Sequence, residues 1–235
     1  MRYYLGTRHA KVLAEKLPMA LIHEGVGEVV HDPSGTFKQG DKVVMVPNAP
    51  CETDDYIAEN YLRSSKFCGS SMDGFLQEFV EISPKRLVKL PDDIDMRVAA
   101  FTEIVSVSVH AISRFDKIAH NRRETIAVWG DGNLGYITSL FLKYHFPQSK
   151  IVVFGTVADK LADFTFADET HLVNEVPDGF TMDHAFECVG GNGSPIAIEQ
   201  IIGLIKPEGT ISILGVSEYP VPINTRMILE KGLRM

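Results

Sequence analysis

The sequence predicts an α/β protein in which a β-rich domain precedes a doubly wound parallel sheet, and three observations support this. About the first ninety residues contain short runs rich in Val, Ile and Phe between turn sequences such as DPSG and KQGD, which is typical of β-strands. From Thr125 onward, strand-sized and helix-sized segments alternate, which is typical of a parallel sheet covered by helices. A glycine-rich turn joins the first of these strands to its helix. We place the two domains at residues 1–98 and 99–235.

The first domain contains four predicted strands, and a predicted helix follows them across the boundary between the two domains. The strands are short apolar runs, and the helix has apolar residues at the spacing of one helical face. The strands cover residues 25–30, 41–46, 74–82 and 86–90, and the helix covers residues 95–115.

The second domain contains five predicted strands and three predicted helices. The first helix is ended by Pro147 and the third by Pro207, because proline cannot continue a helix. The strands cover residues 125–130, 150–155, 171–173, 183–190 and 209–216, and the helices cover residues 134–146, 158–166 and 194–206. A last helical pattern runs into Leu233 without a cap or stop, so we expect that the chain is a fragment of a longer enzyme.

Composition excludes several classes of partner. The net charge is −8, from 31 acidic and 23 basic residues, and the basic residues are scattered rather than clustered as a nucleic-acid partner requires. No apolar run is long enough to cross a membrane, and the opening residues do not have the pattern of a secretion signal. Three widely spaced cysteines do not form a disulfide framework. We therefore expect a cytoplasmic protein, and an anionic small-molecule substrate stays possible.

The glycine-rich turn predicts a dinucleotide site. Gly130, Gly132 and Gly135 fit G-x-G-x-x-G, with Asn133 and Leu134 between the last two, directly after a strand and at the start of a helix. The first glycine permits a tight turn, the second lets the backbone approach a pyrophosphate, and the third allows close packing of helix and strand. The alternative is a glycine-rich turn with no ligand.

The second strand of this domain indicates which dinucleotide. An NAD site usually has an acid at the end of that strand, where it binds the ribose 2′-hydroxyl. Here the strand ends in Gly155 and Thr156, which leaves room for a 2′-phosphate that Thr156 and Lys160 could bind. The sequence therefore favours NADP(H). The alternative is that Asp159 supplies the acid from further along the loop.

A histidine–glutamate pair, His23 and Glu24, opens the first predicted strand. Imidazole and carboxylate are both zinc ligands, and a catalytic zinc site uses three protein ligands. The alternative is an ordinary surface or core dipeptide, which composition alone favours.

The order of several motifs resembles that of the zinc-dependent medium-chain dehydrogenases over essentially the whole chain. They are HEGVGEVV, GDKVVMVPN, DGFLQEFVEI, GDGNLG, FECVGG and GTISILGV. The resemblance implies a GroES-like catalytic domain, truncated at its N-terminal end, followed by a Rossmann domain truncated at its C-terminal end. It implies that His23 and Glu24 are catalytic metal ligands and that Glu103 matches the later carboxylate ligand of the polyol-type members. It also implies that Cys188, Val189, Gly215 and Val216 meet the ribose and nicotinamide, and that Arg2 and Arg8 lie near the substrate.

Two departures from the family's pattern qualify that implication. Ile22 stands where the broad family has Gly, and the family's first metal ligand, a Cys, is expected upstream of the present start. The segment that corresponds to the structural zinc lobe contains only Cys51 and Cys68, too few for a four-thiolate site. We therefore expect one catalytic zinc and no structural zinc.

Within the family, YYLGTR, TEIVSVSVHA and GVSEYPVPINTRMILEKG resemble bacterial ribulose-5-phosphate reductases. This implies NADPH-dependent reduction of D-ribulose 5-phosphate to D-ribitol 5-phosphate for teichoic-acid or capsule precursors, with zinc polarising the C2 carbonyl. It also implies a homodimer or homotetramer and a cytidylyltransferase partner. Two alternatives stay open: a zinc polyol dehydrogenase acting on unphosphorylated sorbitol or xylitol, and a non-catalytic NADPH-binding remnant.

Overall fold

The structure, a computed structural model, describes residues 3–6 and 8–235. Two compact units divide the chain, one ending at Glu103 and the other beginning at Ile104. The domain boundary between residues 98 and 99 stays a prediction. Arg2 lies outside the described residues. None of the helices in the described ranges has the length and hydropathy needed to cross a bilayer.

The first unit is built on a three-stranded antiparallel sheet. Strands β1 (Val26–Glu28), β2 (Lys42–Met45) and β5 (Leu87–Lys89) pair in the order β1-β2-β5. A second pair joins β3 (Asn48–Ala49) to β4 (Lys66–Phe67). Helix α1 (Ala10–Lys16), which the sequence did not predict, and helix α2 (Met96–Ala99) complete the unit with single 3-10 turns at Glu59–Tyr61 and Pro84–Arg86.

Two predictions for this unit are wrong. Residues 74–82 form no strand, because the amides of Gly74, Phe75 and Leu76 donate to carbonyls at residues 20–22 and Gln77 then turns back to donate to the Phe75 carbonyl. The helix predicted over residues 95–115 is two helices, α2 and α3 (Thr102–Ile118). The break falls at residues 100–101, where the Thr102 hydroxyl donates to the Ala99 carbonyl and starts the second helix.

The second unit is a five-stranded parallel sheet with the order β10-β9-β6-β7-β8. The strands are β6 (Thr125–Trp129), β7 (Lys150–Gly155), β8 (Glu169–Leu172), β9 (Met182–Glu187) and β10 (Ile205–Ile213), and the helices are α4 (Asn133–His145), α5 (Ala158–Leu161), α6 (Ser194–Leu204) and α7 (Thr225–Lys231). Strands β6, β7 and β9 are almost completely buried, as their continuous apolar runs predict. Along the chain, β7 and β8 extend the sheet on one side of β6, and β9 and β10 then extend it on the other side. The gap between the carboxyl ends of β6 and β9 is therefore the switch point, where α/β sheets bind ligands.

The end of this unit differs from the prediction in two places. Helix α6 ends at Leu204, and Pro207 lies inside β10, where the ladder shifts between Ile205 and Thr210 and Glu208 takes a φ of 66°. Helix α7 does have a stop. Gly232 follows it in the left-handed conformation, and Lys231 donates to the carbonyls of Ile202, Gly203 and Ile205.

Candidate metal and cofactor sites

Three predicted metal ligands come together in the first unit. One ligand atom each from His23, Glu24 and Glu103 lies within 4.8 Å of the other two. Glu103, at the start of α3, is half-buried, and this burial raises the pKa of its carboxyl. Glu24 raises that pKa further, whereas His23 lowers it. The cluster therefore brings two carboxylates and one imidazole together.

The backbone that places His23 is held from a distant part of the sequence. We call residues 20–24 the His23 segment. The Ile22 carbonyl accepts from the Phe75 amide at 2.7 Å, and the Leu21 carbonyl accepts from the Leu76 amide at 3.0 Å. A Cβ added to Gly74 would lie 2.1 Å from the Ile22 oxygen, so only glycine allows this approach. Sequence reasoning missed Gly74, whose requirement is visible only in space.

Ile22 adopts a φ of 70°, the left-handed conformation that a β-branched residue strongly disfavours. Glycine adopts this conformation without strain, so the Gly of the family's pattern fits this position better than Ile22 does. The His23 ring then packs edge-on against Phe67, with the ring centroids 5.1 Å apart.

The residues present fit a zinc ion. One imidazole and two carboxylates are zinc donors, and tetrahedral ligands about 2.1 Å from zinc lie about 3.4 Å from one another. Ligand atoms that already lie within 4.8 Å need only small side-chain rotations to reach that spacing. Cys51 is exposed and Cys68 is buried, and the absence of a structural zinc stays a prediction.

The glycine loop, residues 130–135, follows β6 and starts α4 as the motif predicts. Gly130 has a φ of 132°, and a Cβ there would lie 2.9 Å from the Cys188 carbonyl oxygen. A Cβ on Gly135 would lie 1.9 Å from the Gly130 oxygen, which prevents any larger residue at this contact. A Cβ on Gly132 would meet no atom within 4 Å, so the backbone there is open to a ligand. Asn133 begins α4, and Leu134 packs against the apolar core.

A cavity of about 440 Å³ lies beside this loop. Gly132, Asn133, Lys160 and Phe164 are among the residues that line it. Three of the predicted cofactor contacts, Gly132, Asn133 and Lys160, therefore face one cavity, whereas Thr156 is not among the residues that line it. The cavity is also lined by Asp131, Tyr136 and Asp163, which sequence reasoning missed. The signal for Asp131 was its position inside the glycine motif.

Asp131 contacts the end of the second strand directly. Its Oδ2 accepts from the backbone amides of Thr156 at 2.7 Å and Val157 at 2.8 Å, and from the Thr156 hydroxyl at 3.2 Å. Burial opposes ionisation, but these hydrogen bonds outweigh it and hold the pKa of Asp131 below its ordinary value. A Cβ on Gly155 would lie 2.7 Å from the Asp131 Cβ. Asp159, the alternative acid, is exposed on α5.

The loops that follow β9 and β10 contact each other near the switch point. Glu187 is fully buried, and its Oε1 accepts from the amides of Val189 and Gly190. A Cβ on Gly215 would lie 2.3 Å from the Gly190 nitrogen, so the two loops touch backbone to backbone. Val189 and Val216 are exposed there. Cys188 differs, because its thiol is buried and burial raises its pKa to about 12.

Arg8 is near an aromatic ring in the first unit. Its guanidinium carbon lies 5.1 Å from the centroid of the Tyr3 ring, which fits a cation–π contact. Its proximity to a substrate stays a prediction.

Comparison with known proteins agrees with both units. Residues 3–92 match the alcohol dehydrogenase GroES-like domain family. Ribulose-5-phosphate reductase 1 of Staphylococcus aureus is 57% identical over 234 residues, which cover 100% of this chain and 69% of that protein. The chain belongs to the medium-chain dehydrogenase/reductase family.

Two further members of the medium-chain dehydrogenase/reductase family extend the comparison. Ribulose-5-phosphate reductase of Bacillus spizizenii is 56% identical, again over 100% of this chain and 69% of that protein. The crystal structure of S. aureus TarJ in complex with NADPH has a TM-score of 0.83 and 51% identity, and the match covers 99% of this chain and 66% of that chain. The chain thus spans about two thirds of the length of these relatives. The predicted fold, a GroES-like domain followed by a parallel Rossmann-type sheet, is confirmed.

Proposed function

We propose that the protein reduces D-ribulose 5-phosphate to D-ribitol 5-phosphate with NADPH, and that the product serves teichoic-acid or capsule precursor synthesis. The observation that carries this proposal is the 57% identity to a ribulose-5-phosphate reductase over the full chain. The glycine loop and its cavity support a phosphorylated dinucleotide, because Lys160 supplies a cation to the cavity that Gly132 also lines.

His23, Glu24 and Glu103 would hold a catalytic zinc. When bound, zinc supplies a Lewis acid that polarises the C2 carbonyl of the substrate. The protein's part is to fix the three donors. Hydrogen bonds from residues 74–76 hold the His23 segment, and α3 presents Glu103 at its first turn. Partial burial raises the pKa of the Glu103 carboxyl, which favours a cation at this position, since a positive charge would offset the cost of burying its carboxylate.

The second unit would bind NADPH, which supplies the hydride when bound. Free amides at the start of α4 and the open backbone at Gly132 would receive the pyrophosphate. Lys160 would pair with the 2′-phosphate. Val189 and Val216 would present apolar surface to the nicotinamide, with Gly215 keeping their loops in contact, and Cys188 would contribute backbone rather than its buried thiol. We further propose a cytoplasmic homo-oligomer and a cytidylyltransferase as partner.

The test follows NADPH oxidation by the full-length protein with four substrates side by side: ribulose 5-phosphate, ribulose, fructose and xylulose 5-phosphate. The expected result is a strong preference for ribulose 5-phosphate in kcat/KM, because remote phosphate contacts help to orient C2. Equal rates with free ribulose or fructose would instead identify a polyol dehydrogenase. Tight NADPH binding without turnover of any of these substrates would identify a non-catalytic remnant.

A further inference from the structure

An acid does lie at the end of the second strand, but it comes from the glycine loop. The sequence has Gly155 where an NAD site usually has Asp or Glu. In the structure the Asp131 side chain fills the space above Gly155, with its Oδ2 atom 2.9 Å from the position that a Cβ would take. Residues 131 and 155 therefore compete for one volume.

The Asp131 carboxylate is already engaged by the protein. We call residues 155–157 the turn after β7. Both amides that follow Gly155 donate to one oxygen of Asp131, at 2.7 and 2.8 Å. Val157 is the residue before α5, and its side chain makes no hydrogen bond that caps the helix. Its carbonyl accepts a hydrogen bond from the Lys160 amide. Asp131 therefore fixes the backbone from which Lys160 reaches the cavity.

We propose that Asp131 is a positioning residue that sets cofactor choice, by holding the turn after β7 so that Lys160 faces the 2′-phosphate of NADPH. This inference rests on the proposed NADPH-dependent function. Its action is through the hydrogen bonds and not through the charge, because a carboxylate beside a phosphate is repulsive. Asparagine can accept the same amide bonds through its side-chain oxygen, whereas alanine cannot.

The experiment measures dissociation constants of NADPH and NADH for the full-length wild-type protein, Asp131→Asn and Asp131→Ala. Loss of both amide hydrogen bonds to residue 131 predicts that Asp131→Ala weakens NADPH binding by about tenfold or more. NADH, which lacks the phosphate, should weaken far less. Asp131→Asn should bind NADPH at least as tightly as the wild type. Equal weakening of both cofactors in Asp131→Ala, or an Asn variant as weak as the Ala variant, would overturn the inference.

A second set of variants tests the competition for space. Gly155→Asp alone should weaken both cofactors, because its Cβ would lie 2.7 Å from the Asp131 Cβ. Adding Asp131→Gly should relieve that clash and raise the NADH-to-NADPH affinity ratio above that of Gly155→Asp. If Gly155→Asp alone reverses cofactor preference while melting like the wild type, the two residues do not compete and the inference fails. A wild-type protein that does not bind NADPH would be a different result, since it refutes the proposed function itself.

Discussion

The His23 segment and the glycine loop are both backbone turns at a candidate binding site. Residues distant in the sequence hold the first, whereas neighbouring residues hold the second. The glycine loop is built almost entirely from neighbouring residues, a strand, three glycines and a helix start. The His23 segment is fixed by amides some fifty residues later, and its third ligand, Glu103, lies further still along the chain. A site of the first kind can be recognised from spacing, whereas a site of the second kind depends on contacts that only the fold creates.

The largest expected effect separates the two sites. His23→Ala removes a proposed zinc ligand, so the full-length protein should lose zinc. Turnover should fall more than about 100-fold, because substitutions of residues that only hydrogen-bond to a metal ligand already cost up to about 100-fold. NADPH binding should be unchanged, because the glycine loop belongs to the other unit. Zinc analysis and cofactor titration check both statements. His31→Ala is the matched control, since His31 is exposed in the same unit. Full activity in His23→Ala would contradict the zinc mechanism.

A substitution outside the cluster of His23, Glu24 and Glu103 should impair zinc binding nearly as much as His23→Ala does. Gly74→Ala places a Cβ 2.1 Å from the Ile22 oxygen, a backbone contact that cannot yield without moving the His23 segment. We expect a loss of about 3 kcal/mol in unfolding free energy, the upper range for overpacking, together with weaker zinc binding. Urea unfolding and zinc titration measure these effects. Gly27→Ala is the control, because a Cβ there meets no atom within 4 Å. Wild-type zinc affinity in Gly74→Ala would show that the long-range contact does not set the cluster.

Low pH should reduce the stability of the second unit through protonation of His184. Burial, with a smaller contribution from the neighbouring His120, lowers the pKa of His184 to about 4 from 6.5. The unfolded chain therefore binds the proton more readily between these values, so stability is full above pH 6.5 and is lost as the pH falls toward 4. The loss between pH 7 and pH 5 should be about 2 kcal/mol.

Urea unfolding at several pH values tests this in wild type and His184→Gln. The variant removes the titrating group, so its stability should change less with pH, although it will be less stable at pH 7. His31→Gln, at an exposed position, should retain the wild-type pH dependence. An unchanged slope in His184→Gln would mean that other groups dominate acid unfolding.

These contrasts show how far sequence reasoning extends. The strand–glycine–helix unit and the buried strands could be predicted, because apolar runs and motif spacing are local properties. The competition between Asp131 and Gly155 could not, since nothing in their spacing brings a loop side chain over the end of β7. Residues 74–82 have a strand's composition, but three of their amides bind the His23 segment instead of forming a ladder. The sequence predicts that Pro207 stops a helix, whereas the helix ends earlier and the proline lies in β10.

The smallest expected effect concerns the strained residue inside the His23 segment. Ile22 has a φ of 70°, and its side chain is 47% exposed, so the substitution Ile22→Gly removes little packing. Relief of about 1–2 kcal/mol of left-handed strain should outweigh about 0.5–1 kcal/mol of extra backbone entropy in the unfolded state. The net result is a gain in unfolding free energy of up to about 1.5 kcal/mol, measured by urea unfolding. Ile22→Ala keeps the Cβ and therefore the strain, so it should not reproduce the gain. If Ala stabilises as much as Gly, the exposed side chain and not the backbone is the source, and the left-handed turn at Ile22 carries no strain that the contacts at Gly74 must offset.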